Sequence, residues 1–173
     1  MWVGVSVGGL IAALMVAGYS PEELYNVIKN PEDLLGDHDA RKVMVESLLQ
    51  KRGFSPTVTL RDFAAATKKT LILVATSLNR GGPVYLSHMT APDTTVVDAA
   101  CATSAIPLYF PPVSFDGDTF VDGCISDPYP VDIACITRPT LGIRIKDSAH
   151  PGMCGASVLG VGSHVGPCLT EWK

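Results

Sequence analysis

The fold is decided at the start of the chain, where residues Trp2–Gly18 read WVGVSVGGLIAALMVAG. Trp2-Val3 has the character of a buried strand end, Leu10–Ala17 is an apolar helix, and Gly18 closes that helix as glycine commonly does. Between strand and helix, Gly4–Gly8 matches G-x-S-x-G, in which a serine stands on a sharp strand-to-helix turn. We expect glycine at both ends of this pattern because side chains there would clash across the turn.

The serine of this turn, Ser6, is the candidate nucleophile. Its hydroxyl would stand exposed above the sheet, and the following helix points its N-terminus at the site, where the helix dipole favours developing negative charge. The backbone N–H of Val7, together with that of Gly8, would donate to such a charge. Glycine and serine are common residues, so the pattern carries weight only through its position at a strand-to-helix change.

Helices and buried strands alternate along the rest of the chain, which predicts an α/β fold with a mixed, mostly parallel sheet between helices. The periodicity and capping patterns predict helices from Ser20, over 40–51, from Thr59 and over 95–104, and strands over 71–76, 84–88, 119–121 and 141–145. The 71–76 run is continuously apolar, as in a strand covered on both faces. From Asp147 onward glycines recur with little periodicity, so we expect residues 147–173 to form a poorly ordered tail.

Composition excludes several classes of protein. Hydrophobic residues make up 47% of the 173 residues and charged residues 17%, which excludes disorder for the whole chain. Thirteen basic against 17 acidic residues give a net charge of −4, so nothing favours nucleic-acid binding. The five cysteines are odd in number and contain no Cys-x-x-Cys, so neither a disulfide framework nor a zinc site is predicted. We predict no metal and no cofactor.

The uncharged N-terminal run, residues 1–18, could also be a signal-peptide core or a short membrane span. A secretory signal normally carries positive charge ahead of its apolar stretch, and no Lys or Arg precedes this one. The glycines around Ser6 also suit a turn better than a membrane helix. We therefore predict no transmembrane segment.

A serine nucleophile needs a base, and the best candidate is Asp122. It follows the apolar strand Thr119–Val121 and precedes Gly123, which places it at a strand end. The alternative is a turn aspartate, the interpretation that suits Asp116 and Asp118. For Asp122 these residues alone leave both readings open.

Four segments together resemble the patatin-like phospholipase family in order and spacing: Gly4–Gly8, Ala102–Pro107, Phe110–Val113 and Val121–Gly123. The run Leu73–Leu78 also looks like that family's central strand. The resemblance covers roughly residues 2–145, and the proline-rich segment leading into Asp122-Gly123 is its most specific part.

The resemblance implies a three-layer sandwich with a serine–aspartate dyad, in which Asp122, supported by Gly123, accepts the proton of Ser6. It implies a catalytic domain over 1–146, followed by the tail 147–173. The implied reaction cleaves a fatty-acyl ester of a lipid or phospholipid at a membrane or micelle surface through an acyl-enzyme. The implied location is intracellular, either cytoplasmic or peripheral to membranes, and the oligomeric state is not predicted.

The sequence departs from the family pattern at three places. Cys124 stands where glycine or alanine follows Asp-Gly, and Pro128 replaces an asparagine often found before the later proline. The family also places a glycine-rich oxyanion loop and its strand ahead of the serine, whereas only Met1-Trp2-Val3 precedes Gly4. These departures lead to the expectation of an N-terminally truncated, incomplete sheet and impaired activity.

Two alternatives stay open. Ser6 and Asp122 followed by His150 or His164 would match the Ser…Asp…His order of α/β-hydrolases, which predicts a triad esterase. A patatin-like chain without an oxyanion loop could also bind lipid without turnover.

Overall fold

The computed structural model describes residues 1–29, 38–134, 140–143, 145–147, 156–158 and 162–164. The chain divides into two compact units, residues 1–128 and 129–173. The catalytic domain over 1–146 and the poorly ordered tail stay predictions, and much of that tail, including His150, lies outside the described residues.

The described elements of the first unit follow the predicted order of helices and strands. They are β1 (Trp2–Val5), α1 (Val7–Val16), α2 (Pro21–Ile28), α3 (His38–Lys51), α4 (Leu60–Thr67), β2 (Leu71–Ser77), β3 (Gly82–Ser87), α5 (Val96–Thr103), β4 (Val113–Phe115) and β5 (Asp118–Asp122). A 3-10 turn, Gly123–Ile125, follows β5.

The second unit contains short elements in its described part: α6 (Val131–Ala134), β6 (Thr140–Gly142), β7 (Ile145–Asp147), β8 (Ala156–Val158) and β9 (Gly162–His164). β6 pairs with β9 and β7 pairs with β8, both antiparallel. The prediction of one strand over 141–145 was wrong, because β6 ends at Gly142 and Ile143 belongs to no strand.

Side-chain caps stabilise the predicted starts of two helices, and a glycine ends another. Ser20 and Glu23 form the capping box reciprocally, since the Ser20 N–H donates to Glu23 Oε2 at 2.8 Å and the Glu23 N–H donates to Ser20 Oγ at 3.3 Å. Thr59 caps α4 by accepting from the Asp62 N–H at 3.1 Å. Gly18 adopts φ 102° just past α1, a left-handed conformation that glycine takes without strain.

The sheet of the first unit is built around β2. β1 pairs with β2 in parallel, β3 and β5 pair with it antiparallel, and β4 pairs with β5 antiparallel. The α/β class and the mixed sheet are confirmed. The expectation of mostly parallel pairing does not hold for the described strands, because short turns join β2 to β3 and β4 to β5, and such hairpins are necessarily antiparallel.

All seven residues of β2 are buried, which confirms a strand covered on both faces. Leu71, Leu73 and Ala75 belong to one core together with the apolar faces of α1 and α5. Ile72, Val74 and Thr76 alternate with them and therefore face the other side of the sheet. In the part of the chain that the structure describes, no helix is both long and apolar enough to span a bilayer.

Candidate active site

Ser6 lies between β1 and α1 in a backbone conformation that L-residues rarely adopt, with φ 55° and ψ −134°. Such a conformation costs about 1–3 kcal/mol and persists only where the surroundings hold it. Gly4 makes the turn possible, because a Cβ there would lie 2.5 Å from the Gly8 carbonyl oxygen and 2.6 Å from the Gly9 Cα.

Gly8 does not have the steric role that the sequence pattern predicts. A Cβ at Gly8 would meet no atom within 4 Å, because this residue sits on the exposed side of the first turn of α1. The second close approach occurs at Gly9, where a Cβ would come within 2.7 Å of Thr103 Cγ2. The steric requirement for glycine after the serine therefore falls on Gly9, one residue later than the G-x-S-x-G pattern predicts.

Ser6 and Asp122 meet because β1 and β5 share one edge of β2 and run toward each other. Val5, the last residue of β1, pairs with Val74, and Asp122, the last residue of β5, pairs with the next residue, Ala75. The C-terminal ends of the two strands therefore converge. Ser6 Oγ donates to Asp122 Oδ2 at 2.6 Å across 116 residues of sequence, within the range of charge-assisted hydroxyl–carboxylate hydrogen bonds.

The Asp122 side chain is only 3% exposed and is held by hydrogen bonds on both carboxylate oxygens. Oδ2 accepts from Ser6, and Oδ1 accepts from the Cys124 N–H at 2.8 Å. The main chain is held as well, since its N–H donates to the Ala105 carbonyl at 2.9 Å and its carbonyl accepts from Thr76 Oγ1 at 2.8 Å. The carboxylate thus has one orientation available, with Oδ2 toward Ser6.

Gly123 lets the base reach this position. A Cβ there would lie 2.2 Å from the Val74 carbonyl oxygen and 2.7 Å from Val5 Cγ2. The chain after Asp122 therefore crosses directly over the point where β1 pairs with β2. Only glycine fits such an approach without displacing a backbone.

Two ionisable neighbours lie close enough to affect the site. Burial lowers the pKa of Arg41, while the thiol of Cys101 and the carboxylate of Asp122 favour its charged form; arginine nevertheless remains a cation at any ordinary pH. Burial and, after it, the negative charge of Asp122 together raise the pKa of the Cys124 thiol to about 11. The thiol beside the serine is therefore neutral at physiological pH.

The first turn of α1 presents backbone donors next to Ser6. The N–H groups of Gly9 and Leu10 donate to the Ser6 carbonyl at 2.9 and 3.3 Å. The N–H groups of Val7 and Gly8 have no acceptor among the described residues. Helix N-termini leave such groups available to an anion.

A second serine–aspartate hydrogen bond in the first unit provides a contrast. Ser77 Oγ donates to both oxygens of Asp118 at 2.8 and 2.9 Å, but Ser77 is fully buried. Asp118 is moreover paired with Arg80 Nε at 3.1 Å. This pair has neither access for a substrate nor a carboxylate free to take a proton.

Neither histidine of the triad alternative belongs to the first unit. His150 lies outside the described residues, and His164 belongs to β9 in the second unit. In the first unit, His88 makes no hydrogen bond to Ser6 or Asp122 among the described contacts. Two residues at the site have no sequence signal for their role: Thr103 lies in the Ala102–Pro107 segment, which assigns it no function, and Arg41 belongs to no motif.

The chain is similar to known proteins over most of its length. The sequence model of the family described as patatin-like phospholipase matches residues 1–135. The chain is 23% identical over 151 residues to a protein of Invertebrate iridescent virus 6 named "Probable lipid hydrolase 463L", covering 77% of this chain and 52% of that protein. It is 24% identical over 148 residues to an uncharacterized protein of Acanthamoeba polyphaga mimivirus, covering 75% of this chain and 48% of the viral protein. The chain spans about half the length of these curated relatives.

Proposed function

Because the chain belongs to the patatin-like phospholipase family, we propose that it is a lipid acyl hydrolase with Ser6 as nucleophile and Asp122 as general base. The observation that carries the proposal is the 2.6 Å hydrogen bond from Ser6 Oγ to Asp122 Oδ2. A serine hydroxyl is a weak nucleophile until a neighbouring group takes its proton. Here that group is the carboxylate itself, without an intervening histidine.

In the proposed first half-reaction, Asp122 takes the hydroxyl proton as Ser6 Oγ bonds to the ester carbonyl carbon. The tetrahedral intermediate then expels the alcohol, which leaves with the proton from Asp122, and the acyl group stays on Ser6. In the second half-reaction, water attacks the acyl-enzyme and gives a proton to Asp122. The fatty acid departs, and that proton returns to Ser6 Oγ.

The negative charge that develops on the carbonyl oxygen needs donors already in place. The N–H groups of Val7 and Gly8, at the start of α1, are the ones we assign to this role. Removal of one such donor typically costs about 10²–10³ in rate. The sharp turn at Gly4 supports the assignment, because it lets α1 begin directly after the nucleophile, at Val7.

We assign the Cys124 N–H a separate role, which is to orient the Asp122 carboxylate. By donating to Asp122 Oδ1 at 2.8 Å, it leaves Oδ2 as the oxygen that faces the Ser6 hydroxyl. Because the donor is a backbone N–H, it does not depend on the side chain at this position. Cysteine in place of the glycine or alanine of the family pattern is therefore compatible with the dyad. With a pKa of about 11, its thiol does not supply a competing thiolate nucleophile at neutral pH.

Exposed apolar residues on segments tied to Asp122 support a lipid substrate. Leu108 and Tyr109 are exposed shortly after Ala105, whose carbonyl binds the Asp122 N–H. Ile125 is exposed in the turn that follows Asp122. Large exposed apolar side chains on the segments that flank and hold Asp122 suit an acyl ester presented at a membrane or micelle surface.

The direct test is hydrolysis of a fatty-acyl ester in detergent micelles by the wild-type chain, Ser6→Ala and Ser114→Ala. Ser114 is an exposed serine on β4 and serves as the matched control. We expect hydrolysis by the wild type and Ser114→Ala, and only the background rate with Ser6→Ala. Equal rates for Ser6→Ala and the wild type would refute the proposed nucleophile.

A further inference from the structure

Three consecutive carbonyl groups at the end of α5 accept hydrogen bonds from other segments, and two of them bind the two members of the proposed dyad. The Thr103 carbonyl accepts from the Ser6 N–H at 3.1 Å, and the Ala105 carbonyl accepts from the Asp122 N–H at 2.9 Å. The Ser104 carbonyl between them accepts from Arg41 Nη1. Helix C-termini leave their last carbonyls without partners inside the helix, and here each of these three is bound by another segment.

The Thr103 side chain adds further contacts at the nucleophile. Its Oγ1 accepts from the same Ser6 N–H at 3.1 Å and donates to the Val74 carbonyl. Its Cγ2 packs against Gly9, where a Cβ would intrude to 2.7 Å. Thr103 is completely buried. One side chain thus touches the serine's backbone, the helix that follows it and the strand residue that pairs with Val5.

These contacts are made to Ser6, the residue whose backbone is strained. Ser6 has φ 55°, and a strained backbone persists only when its surroundings over-determine it. Its N–H is held by two acceptors of a single residue, Thr103. If that hold loosens, the turn can relax and move Oγ away from Asp122 Oδ2.

We infer that Thr103 is a positioning residue for the dyad: its hydroxyl and carbonyl hold the Ser6 backbone in its strained conformation, and so hold the hydroxyl on Asp122. The inference rests on the proposed function, because positioning has a kinetic effect only if Ser6 reacts. Whether Thr103 holds the Ser6 backbone can be measured separately, without any reaction.

Arg41 fixes the loop from Ser104 to Phe110, which contains the carbonyl that binds Asp122. Its side chain is 1% exposed, and its guanidinium lies 3.9 Å from the centroid of the Phe110 ring while Nη1 binds the Ser104 carbonyl. A buried cation with fixed partners is costly to displace. The loop from Ser104 to Phe110 is therefore anchored on both sides of the carbonyl that binds Asp122.

The test compares Thr103→Val, Thr103→Ser and Tyr19→Phe in the full chain. Valine keeps the shape of threonine and removes the hydroxyl, whereas serine keeps the hydroxyl. Tyr19→Phe is the matched control, because its buried hydroxyl also donates to a backbone carbonyl, that of Leu48 at 2.8 Å, but touches neither Ser6 nor Asp122.

Two readouts separate positioning from stability. We expect Thr103→Val to lower kcat on a micellar acyl ester by about tenfold to a hundredfold, the scale of a misplacement near 1 Å, with KM nearly unchanged. Thr103→Ser should recover most of that loss, and Tyr19→Phe should lower the melting temperature without lowering kcat. Hydrogen exchange of the Ser6 amide, followed by NMR, should be faster in Thr103→Val than in Tyr19→Phe.

The outcomes are separable. The inference would be overturned if Thr103→Val had the kcat of the wild type. It would also be overturned if the Ser6 amide exchanged no faster in Thr103→Val than in Tyr19→Phe. If the wild type lacks esterase activity, the proposed function fails, and the amide exchange still decides whether Thr103 holds the serine.

Discussion

Ser6 Oγ and Asp122 Oδ2 lie 2.6 Å apart although 116 residues separate them in the chain. The contact follows from strand register: Val5 and Asp122 pair with consecutive residues of β2, at the converging ends of β1 and β5. A histidine between the two groups would need them several ångströms further apart. The geometry therefore favours direct proton transfer over a triad.

The base can be tested against the histidines. Asp122→Asn keeps the size of the side chain and removes the acceptor charge, so we expect it to abolish nearly all esterase activity. His88→Ala, His150→Ala and His164→Ala should each retain most of it. The measurement is kcat/KM on one micellar ester for all four variants, and a loss at His150 or His164 matching that of Asp122→Asn would favour the triad.

The two motif glycines should respond oppositely to alanine. Gly123→Ala forces a Cβ to within 2.2 Å of the Val74 carbonyl oxygen, so we expect a loss of at least about 1–3 kcal/mol in the free energy of unfolding, as for overpacked cores. Gly8→Ala meets open space in the first turn of α1, and alanine is the better helix former by up to about 1 kcal/mol.

Urea unfolding of the wild type, Gly123→Ala and Gly8→Ala gives the comparison. Gly8→Ala should be at least as stable as the wild type. A destabilised Gly8→Ala together with an unaffected Gly123→Ala would contradict the packing described for the two glycines.

The raised pKa of Cys124 makes alkylation strongly pH-dependent. Its folded-state pKa is about 11, against an ordinary 9.0, so at pH 8 the reactive thiolate is about a hundredfold scarcer than in the unfolded chain. Iodoacetamide should label Cys124 slowly at pH 8 and faster by about tenfold per pH unit up to the folded pKa. By linkage, the raised pKa favours the folded state below pH 9, and this contribution is lost as pH rises from 9 to about 11.

Peptide mapping by mass spectrometry would follow the adduct at Cys124, with the guanidinium-unfolded chain as the reference. Buried Cys101, whose pKa burial also raises, should stay unlabelled in the folded chain. Labelling of folded Cys124 at the unfolded rate at pH 8 would show that the thiol is not perturbed.

The exposed apolar residues that hold the proposed lipid substrate, Leu108, Tyr109 and Ile125 (the apolar rim), can be tested through the physical form of the substrate. Leu108 is fully exposed at φ 72°, a conformation that asparagine tolerates better than leucine. Leu108→Asn should therefore fold normally and raise KM for a micellar ester by about tenfold, the worth of inserting one leucine into an apolar phase. KM for a short soluble ester should not change.

Met89→Asn is the control for that experiment, because Met89 is also exposed but follows β3, past the start of β2, and does not lie on a segment that holds Asp122. Equal effects of Leu108→Asn and Met89→Asn on the micellar ester would argue against a localised lipid-binding rim.

Much of the local structure could be predicted from the sequence, because local signals are strong here. The capping box at Ser20, the glycine after α1 and the continuous apolar run of β2 each act within a few residues. The alternation over 141–145 predicted one strand, but alternation does not fix where a partner strand ends, and the pairing of β6 with β9 ends at Gly142.

The candidate site was only partly predictable for the same reason. Gly4 and Ser6 could be singled out by their local pattern, whereas Asp122 and Gly123 were assigned only through the resemblance of several segments to one family. The steric need at Gly9 rather than Gly8 depends on Thr103, which is distant in sequence. Arg41 is an ordinary charged residue on α3, and its burial against the Ser104 carbonyl follows from tertiary packing alone.

The most direct test of the central claim is to locate the adduct of a fluorophosphonate, which reacts with activated serine hydroxyls. We predict one adduct, on Ser6, that disappears in Ser6→Ala and forms far more slowly in Asp122→Asn. Ser77, which is hydrogen-bonded to Asp118 but fully buried, should stay unmodified, as should Ser104 and Ser163. An adduct on any of these three serines instead of Ser6, or equally fast labelling of Ser6 in Asp122→Asn, would contradict the dyad.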